Sequence, residues 1–167
     1  MRKTLMVTLL IGVVALLPML WVPVARATPP IPAEGNWTIV DITSQHIRFT
    51  DDGNMIVSET DFSVYDGTFE GTAEETVTII IDLATFECSV KAAATFTGSV
   101  GDRSGTLVIR SVGRCPFVWG APLEGQWVIL HGTDELVNFR GQGTWYKEMV
   151  GVGIPIFYWG QTHFEAD

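Results

Sequence analysis

The feature that most constrains the fold is a series of short segments rich in Val, Ile, Thr, Phe and Trp, separated by Gly, Asp and Asn. This pattern is typical of antiparallel strands joined by turns. Ten segments fit it: Trp37–Ile42, His46–Thr50, Asn54–Thr60, Phe62–Glu70, Glu75–Asp82, Phe86–Thr97, Gly105–Val112, Gln126–His131, Gly143–Lys147 and Ile154–Phe164. One helical turn is expected at Asp134–Asn138. So many strands without crossover helices predict an all-β barrel or sandwich, and closure, which removes exposed edges, favours a single antiparallel barrel.

Alternation of apolar and polar residues predicts which face of the sheet is buried. Val77, Ile79 and Ile81 share one face of their segment, although Ile80 breaks the pattern. In the next segment one face carries Phe86, Cys88, Val90, Ala92, Ala94 and Phe96. Alternation over this length predicts a sheet with one face in the core and the other in water.

The N-terminus has the layout of a secretory signal peptide. A positive start at Met1–Lys3 precedes an apolar run, Leu5–Val24, and an Ala-x-Ala ending at Ala27. We therefore predict a signal peptide over residues 1–27, a Pro-rich linker over 28–34 and a β-barrel domain over 35–167. The protein is then secreted or extracytoplasmic, without stable membrane association after cleavage. A retained membrane anchor is the open alternative, because the apolar run is long enough to span a bilayer.

Cleavage would leave a strongly acidic protein. The leader holds three of the ten Lys and Arg residues and none of the 19 Asp and Glu residues, so the remainder carries 7 − 19 = −12. A field of this sign repels nucleic acid, which is therefore not expected as a partner.

The two cysteines are predicted to face each other across a hairpin. Gly101-Asp102 suits a two-residue turn with Gly first. Pairing outward from that turn sets Val100 opposite Arg103, so that partner numbers sum to 203 and Cys88 falls opposite Cys115. In an oxidising compartment this pair is expected to form a disulfide worth ~3.5 kcal/mol in the chain-entropy model. Two free thiols are the alternative.

No catalytic or metal-binding motif stands out. His46, His131 and His163 lack the paired spacing of zinc sites, and no Gly-x-Ser-x-Gly elbow or phosphate-binding loop is present. No metal or cofactor is therefore predicted. Gly141-Gln142-Gly143 and Gly151-Val152-Gly153 are interpreted as turn or barrel-corner glycines. The adjacent acids Asp51-Asp52 and Glu74-Glu75 are interpreted as exposed charge.

The aromatic residues suggest a ligand site. A small barrel can fill its interior with rings or leave a cavity lined by them. Trp127, Ile129 and His131 would share one strand face and give an apolar wall with one polar group. Trp127 and His131, together with Phe96 and Trp145, are the predicted contacts for a small apolar or amphipathic ligand. Simple core packing of the same rings is the alternative.

Glycine- and aromatic-rich motifs continue through the second half of the chain. They are Thr95–Gly98 with Arg103–Val108, then Gln126–Leu130, Gly132–Trp145 and Gly160–Phe164, with a weaker match at Phe69–Thr72. Over about residues 65–167 they resemble the allene oxide cyclase-like barrel proteins. The chain departs from the pattern at Gly101-Asp102, where Asp-Gly is usual, at Asp134, where Gly is usual, and at Phe139, where Leu is usual.

The resemblance implies a calycin-type barrel of about eight main strands, in a family that includes oligomeric plant cyclases and dirigent-type proteins. No motif here matches the cyclase active-site residues, so none is transferred. Three hypotheses follow: a binding protein for a small apolar or amphipathic ligand, a cyclase or isomerase-type enzyme, and a packed structural or protein-interaction module. A homo-oligomer is compatible with strands that are apolar on both faces.

Overall fold

The chain forms one antiparallel sheet of eight strands that closes in a ring. The computed structural model describes residues 28–116, 118, 120–149 and 151–166. The strands follow chain order around the ring, and the last pairs with the first. They are β1 (Ile31–Phe49), β2 (Asn54–Gly67), β3 (Glu70–Asp82), β4 (Glu87–Val100), β5 (Arg103–Pro116), β6 (Leu123–Gly132), β7 (Phe139–Lys147) and β8 (Pro155–Phe164), with a 3₁₀ turn at Asp134–Leu136. For the described residues, the prediction of an all-β fold with eight main strands is confirmed.

Two pairs of predicted segments merge into single strands. The segments before and after residue 44 both belong to β1, because register shifts between Ile39 and Asp41 and between Ile42 and Ser44 absorb extra residues without ending the pairing with β2. Such β-bulges bend a strand and re-aim its side chains. The segments on either side of Asp61 likewise form one strand, β2, which ends at Gly67.

The structure tests only part of the predictions for the N-terminus. Residues 1–27, the predicted signal peptide, lie outside the described residues. β1 begins at Ile31, so residues 31–34 of the predicted linker are strand and pair with β8. Pro32 is tolerated there because pairing with β2 starts only at Gly35, which leaves one side of the strand free. In the part of the chain that the structure describes, no helix is long and apolar enough to cross a membrane.

The β4–β5 hairpin has the predicted register. Val100 pairs with Arg103, and every pair out to Glu87 with Pro116 sums to 203. Gly101 has φ 62°, which glycine adopts without a Cβ penalty. Cys88 and Cys115 are joined in a disulfide with their Cα atoms 5.1 Å apart. The predicted disulfide is confirmed.

Glycines inside β7 and β8 make room for tryptophan rather than turning the chain. Gly141 and Gly143 lie within β7 and not in a turn, whereas Gly151–Gly153 lies in a turn as predicted. A Cβ at Gly143 would lie 2.7 Å from Trp127 Nε1, and one at Gly160 would lie 2.7 Å from the same indole ring. The absence of a side chain at these two positions leaves room for the ring of Trp127 and for the close approach of the β7 and β8 backbones.

Candidate functional site

The interior of the ring is packed with aromatic side chains at the end that carries the β4–β5 turn. Phe96 contacts Tyr65 and Phe69 edge-on, at centroid distances of 5.4 and 6.0 Å. Trp127 meets Phe69 at 5.8 Å, and its indole N–H donates to the Thr144 carbonyl. Three of the predicted ligand-contacting residues, Phe96, Trp127 and Trp145, are therefore buried inside the ring. Their role in binding stays a prediction.

The fourth predicted residue, His131, does not share their face. Trp127 and Ile129 are buried, but His131 is exposed. The register between β5 and β6 shifts at this point: Ile109 pairs with Ile129, whereas Val108 pairs with His131. Leu130 is thus an extra residue in β6, and this bulge turns His131 to the outside of the ring. The expected pairing of an apolar wall with His131 is wrong.

The polar groups of the interior lie instead on β2, β3 and β7, and on β2 the hydropathy pattern is inverted. Asp61 and Ser63 are fully buried, whereas the intervening Phe62 and the following Val64 are 39% and 42% exposed. Successive residues of a strand point to opposite faces, so the inward face of β2 carries polar side chains along much of its length. We call the buried group of Asp61, Ser63, Tyr65, Glu75 and Lys147 the interior polar cluster.

Two carboxyl groups of this cluster are direct cross-strand neighbours. Asp61 of β2 pairs with Glu75 of β3, and side chains in such pairs lie about 5 Å apart at Cβ. Burial, followed by the charges of Glu59 and Glu75, raises the pKa of Asp61 to about 7. Burial also raises the pKa of Glu75. Near neutral pH Asp61 is therefore partly protonated, whereas a surface carboxyl would be ionised.

Tyr65 and Lys147, two members of the cluster, interact with its carboxyl groups. Tyr65 Oη donates a hydrogen bond to Glu75 Oε1 at 3.1 Å. Lys147 enters the ring from β7, and its Nζ donates to the Gly151 carbonyl at 2.7 Å. Burial lowers the pKa of Lys147, while the charges of Asp61, Glu59 and Glu75 oppose that shift. One buried amine thus faces three carboxyl groups.

Several buried polar atoms beside the cluster have no hydrogen-bond partner among the described residues. Both carboxyl oxygens of Asp61 are in this state, as are the indole N–H groups of Trp37 and Trp145. Trp37 stacks on Tyr65 at 5.5 Å and meets Trp145 edge-on at 6.3 Å, so these groups form one continuous region. Buried polar groups without partners are rare and costly, which makes the region a candidate binding site.

The arrangement can bind or move protons but has no metal-site geometry. Within the described ranges, no group of three or more His, Cys, Asp and Glu side chains is placed to hold a metal ion. A carboxyl group with a pKa near 7 can donate a hydrogen bond when protonated and accept a proton when ionised. Aromatic walls around it suit the apolar part of a small molecule.

Sequence reasoning missed this cluster. Glu74 is exposed as predicted, but Glu75, predicted to be exposed as well, is buried. The available signal was the phase of β3: Glu75 lies two residues before Val77 on the face that also carries Ile79 and Ile81. Extending the apolar face by one step places Glu75 inside.

Comparisons with known proteins give a family and a fold. A family model described as a protein of unknown function (DUF3224) matches residues 33–152, which is well over half of the chain. The crystal structure of a DUF3224-family protein of unknown function from Shewanella oneidensis MR-1 superposes with a TM-score of 0.63 at 13% identity. The match covers 83% of this chain and all of that one. No curated protein matches the sequence.

Proposed function

The chain belongs to the DUF3224 family of proteins of unknown function, and we propose that this member binds a small amphipathic molecule inside the ring. The observation that carries the proposal is the fully buried Asp61, whose two carboxyl oxygens have no partner among the described residues. A ligand that donates a hydrogen bond to Asp61 would remove the cost of leaving these oxygens unpaired.

Charge favours a ligand with a donating or cationic head. Asp61, Glu59 and Glu75 all act on Lys147, so the region carries more carboxyl groups than amines. The rings of Trp37, Tyr65 and Trp145 beside them offer an apolar surface. On the inward face of β2, Glu59 is partly exposed and the next residue on that face, Asp61, is buried. This column of residues is the route we propose for the polar head.

Three probes with the same tail test the head-group preference: octylamine, octanol and octanoate. We expect octylamine to change the tryptophan fluorescence at the lowest concentration and octanoate at the highest. The variant Asp61→Asn should reduce the affinity for octylamine by about tenfold, in the range of one charge-assisted hydrogen bond. Glu74→Gln, on the outer face of β3, is the matched control. Equal response to all three probes, or no response, would contradict the proposal.

A proton-transfer enzyme is the second candidate, and the pKa of Asp61 is the observation that favours it. A value of about 7 suits a general acid or base at neutral pH, and the resemblance to allene oxide cyclase-like proteins makes an isomerase plausible by analogy alone. The test is exchange of the α-hydrogens of 2-octanone for deuterium in D₂O. Exchange that the protein accelerates and Asp61→Asn abolishes would support an enzyme; exchange at the buffer rate would count against it.

We also propose that the protein is exported. The predicted signal peptide and the Cys88–Cys115 disulfide support this, because disulfides persist in oxidising compartments. N-terminal sequencing of the native protein tests it: a chain that starts near residue 28 is expected, and a chain that starts at Met1 would contradict cleavage.

A further inference from the structure

Half of β1 has a free edge. Residues 31–38 pair with β8 on one side, and Gly153 N–H donates to the Ile39 carbonyl at 2.8 Å just beyond. From Asp41 to Phe49, the only strand that pairs with β1 among the described residues is β2. A sheet edge of this kind presents backbone donors and acceptors to another strand, and residues 41–49 contain no proline or lysine to discourage pairing.

The pairing with β2 fixes which face each residue of this edge occupies. Interior-facing partners on β2 place four residues toward the inside: Ile42, Gln45, Ile47 and Phe49. Outward-facing partners place four toward the outside: Asp41, Ser44, His46 and Arg48. Thr43 lies in the register shift between Ile42 and Ser44 and counts as an extra residue.

We propose that this edge pairs antiparallel with the same edge of a second copy, around a two-fold axis through Gln45. This register sets Ser44 opposite His46, Ile42 opposite Ile47 and Asp41 opposite Arg48, with each pair occurring twice. The residue numbers of the Ser44–His46 pair add up to 90. Beyond Thr43 the numbers of each pair add up to 89, because Thr43 is an extra residue that is skipped in the pairing. Every pair then joins side chains on the same face: two polar residues beside the axis, two apolar residues beyond Thr43, and an acid with a base at the ends.

The match depends on the bulge. In a regular strand, residues whose numbers sum to 89 lie on opposite faces, so Asp41 and Arg48 could not meet. Registers with Ser44 or His46 on the axis lose the Asp41–Arg48 pairs. The edge is also neutral, with one acid and one base outside, in a protein whose described part is strongly acidic. Self-association here avoids the repulsion that other faces would meet, and it covers Ile47, which is 48% exposed.

Charge exchange tests the register. We expect the unchanged protein to be dimeric in sedimentation equilibrium and native mass spectrometry. Asp41→Arg creates two Arg–Arg pairs and Arg48→Asp creates two Asp–Asp pairs, so each single variant should dimerise more than about tenfold more weakly. The double variant restores both pairs and should dimerise like the unchanged protein.

A mixture of the two single variants gives the sharpest outcome. Each pair then joins one Arg to one Asp, so a heterodimer should form although neither variant dimerises alone. This result requires folded protein and cannot come from damage to the fold. A monomeric unchanged protein at 200 μM, on the order of concentrations used for weak dimers, or dimers that persist in both single variants, would overturn the proposal.

Discussion

Replacing Asp61 with Asn should make the protein more stable at neutral pH, although it removes a group from the interior. Asp61 is fully buried, and burial with the nearby charges of Glu59 and Glu75 raises its pKa from 3.8 to about 7. Between these two values the folded protein keeps a proton that the unfolded chain releases. The stabilisation that comes from this retained proton on Asp61 is therefore fully present below pH 4 and is lost as the pH rises through 7.

The size of the effect follows from the shift. A difference of about three pH units corresponds to about 4 kcal/mol of unfolding free energy between pH 4 and pH 8. That is a large share of the 5–15 kcal/mol typical of a folded domain. Asparagine fits the same space and cannot ionise, so the variant loses this part of the pH dependence. The slope from Glu75, whose pKa burial also raises, remains.

Urea denaturation followed by tryptophan fluorescence at pH 4, 5, 6, 7 and 8 measures the effect. The free energy of Asp61→Asn minus that of the unchanged protein should rise by about 4 kcal/mol across this range. Glu74→Gln removes a carboxyl group from the outer face of the same strand pair and should leave the curve parallel to the unchanged protein. A difference for Asp61→Asn that stays constant from pH 4 to pH 8 would refute the reasoning.

Three further predictions concern the disulfide, a packing glycine and the buried amine. Replacing Cys88 and Cys115 with Ser should lower the unfolding free energy by ~3.5 kcal/mol, and reductant should have the same effect on the unchanged protein but none on the variant. Gly143→Ala should cost about 1–3 kcal/mol in urea denaturation, because its Cβ would clash with the Trp159 carbonyl oxygen and lie 2.7 Å from Trp127 Nε1. Lys147→Met should raise the pKa of Asp61 above about 7 in a carboxyl ¹³C NMR titration, since the charge of Lys147 now lowers that pKa; an unchanged or lower pKa would contradict the assigned interaction.

Rules for turns and strand pairing predicted the strand register correctly where a single turn determines it. Gly101-Asp102 fixed the register of β4 and β5, and with it the pairing of Cys88 and Cys115, through fourteen residues on each side. They failed where a strand carries an extra residue. Leu130 cannot be recognised as a bulge from composition, so His131 was placed on the wrong face.

The interior polar cluster was missed for a different reason. Asp61 and Ser63 alternate with Phe62 and Val64, and hydropathy alone assigns the polar pair to solvent. The closed ring reverses this assignment, because the register with β3 faces Asp61 with Glu75 inside the sheet. Local preference and tertiary structure disagree here, and such conflicts tend to mark functional or strained sites.

The bulges in β1 connect the cluster to the free edge. If Val40 paired in a regular register instead, a period of two would place Asp41 on the interior face with Ile39, opposite Asp61. The register shift instead sets Asp41 opposite the outward-facing Phe62 and Ile42 opposite Asp61. A further carboxyl group is thereby kept out of a region that already holds Asp61, Glu59 and Glu75 around one lysine. The second shift returns Gln45 to the interior face, where its amide donates to Glu59 at 3.0 Å. The same two shifts bring Asp41 and Arg48 onto one outer face, so the interior charge balance and the proposed pairing both depend on Val40 and Thr43 remaining extra residues rather than joining a regular register.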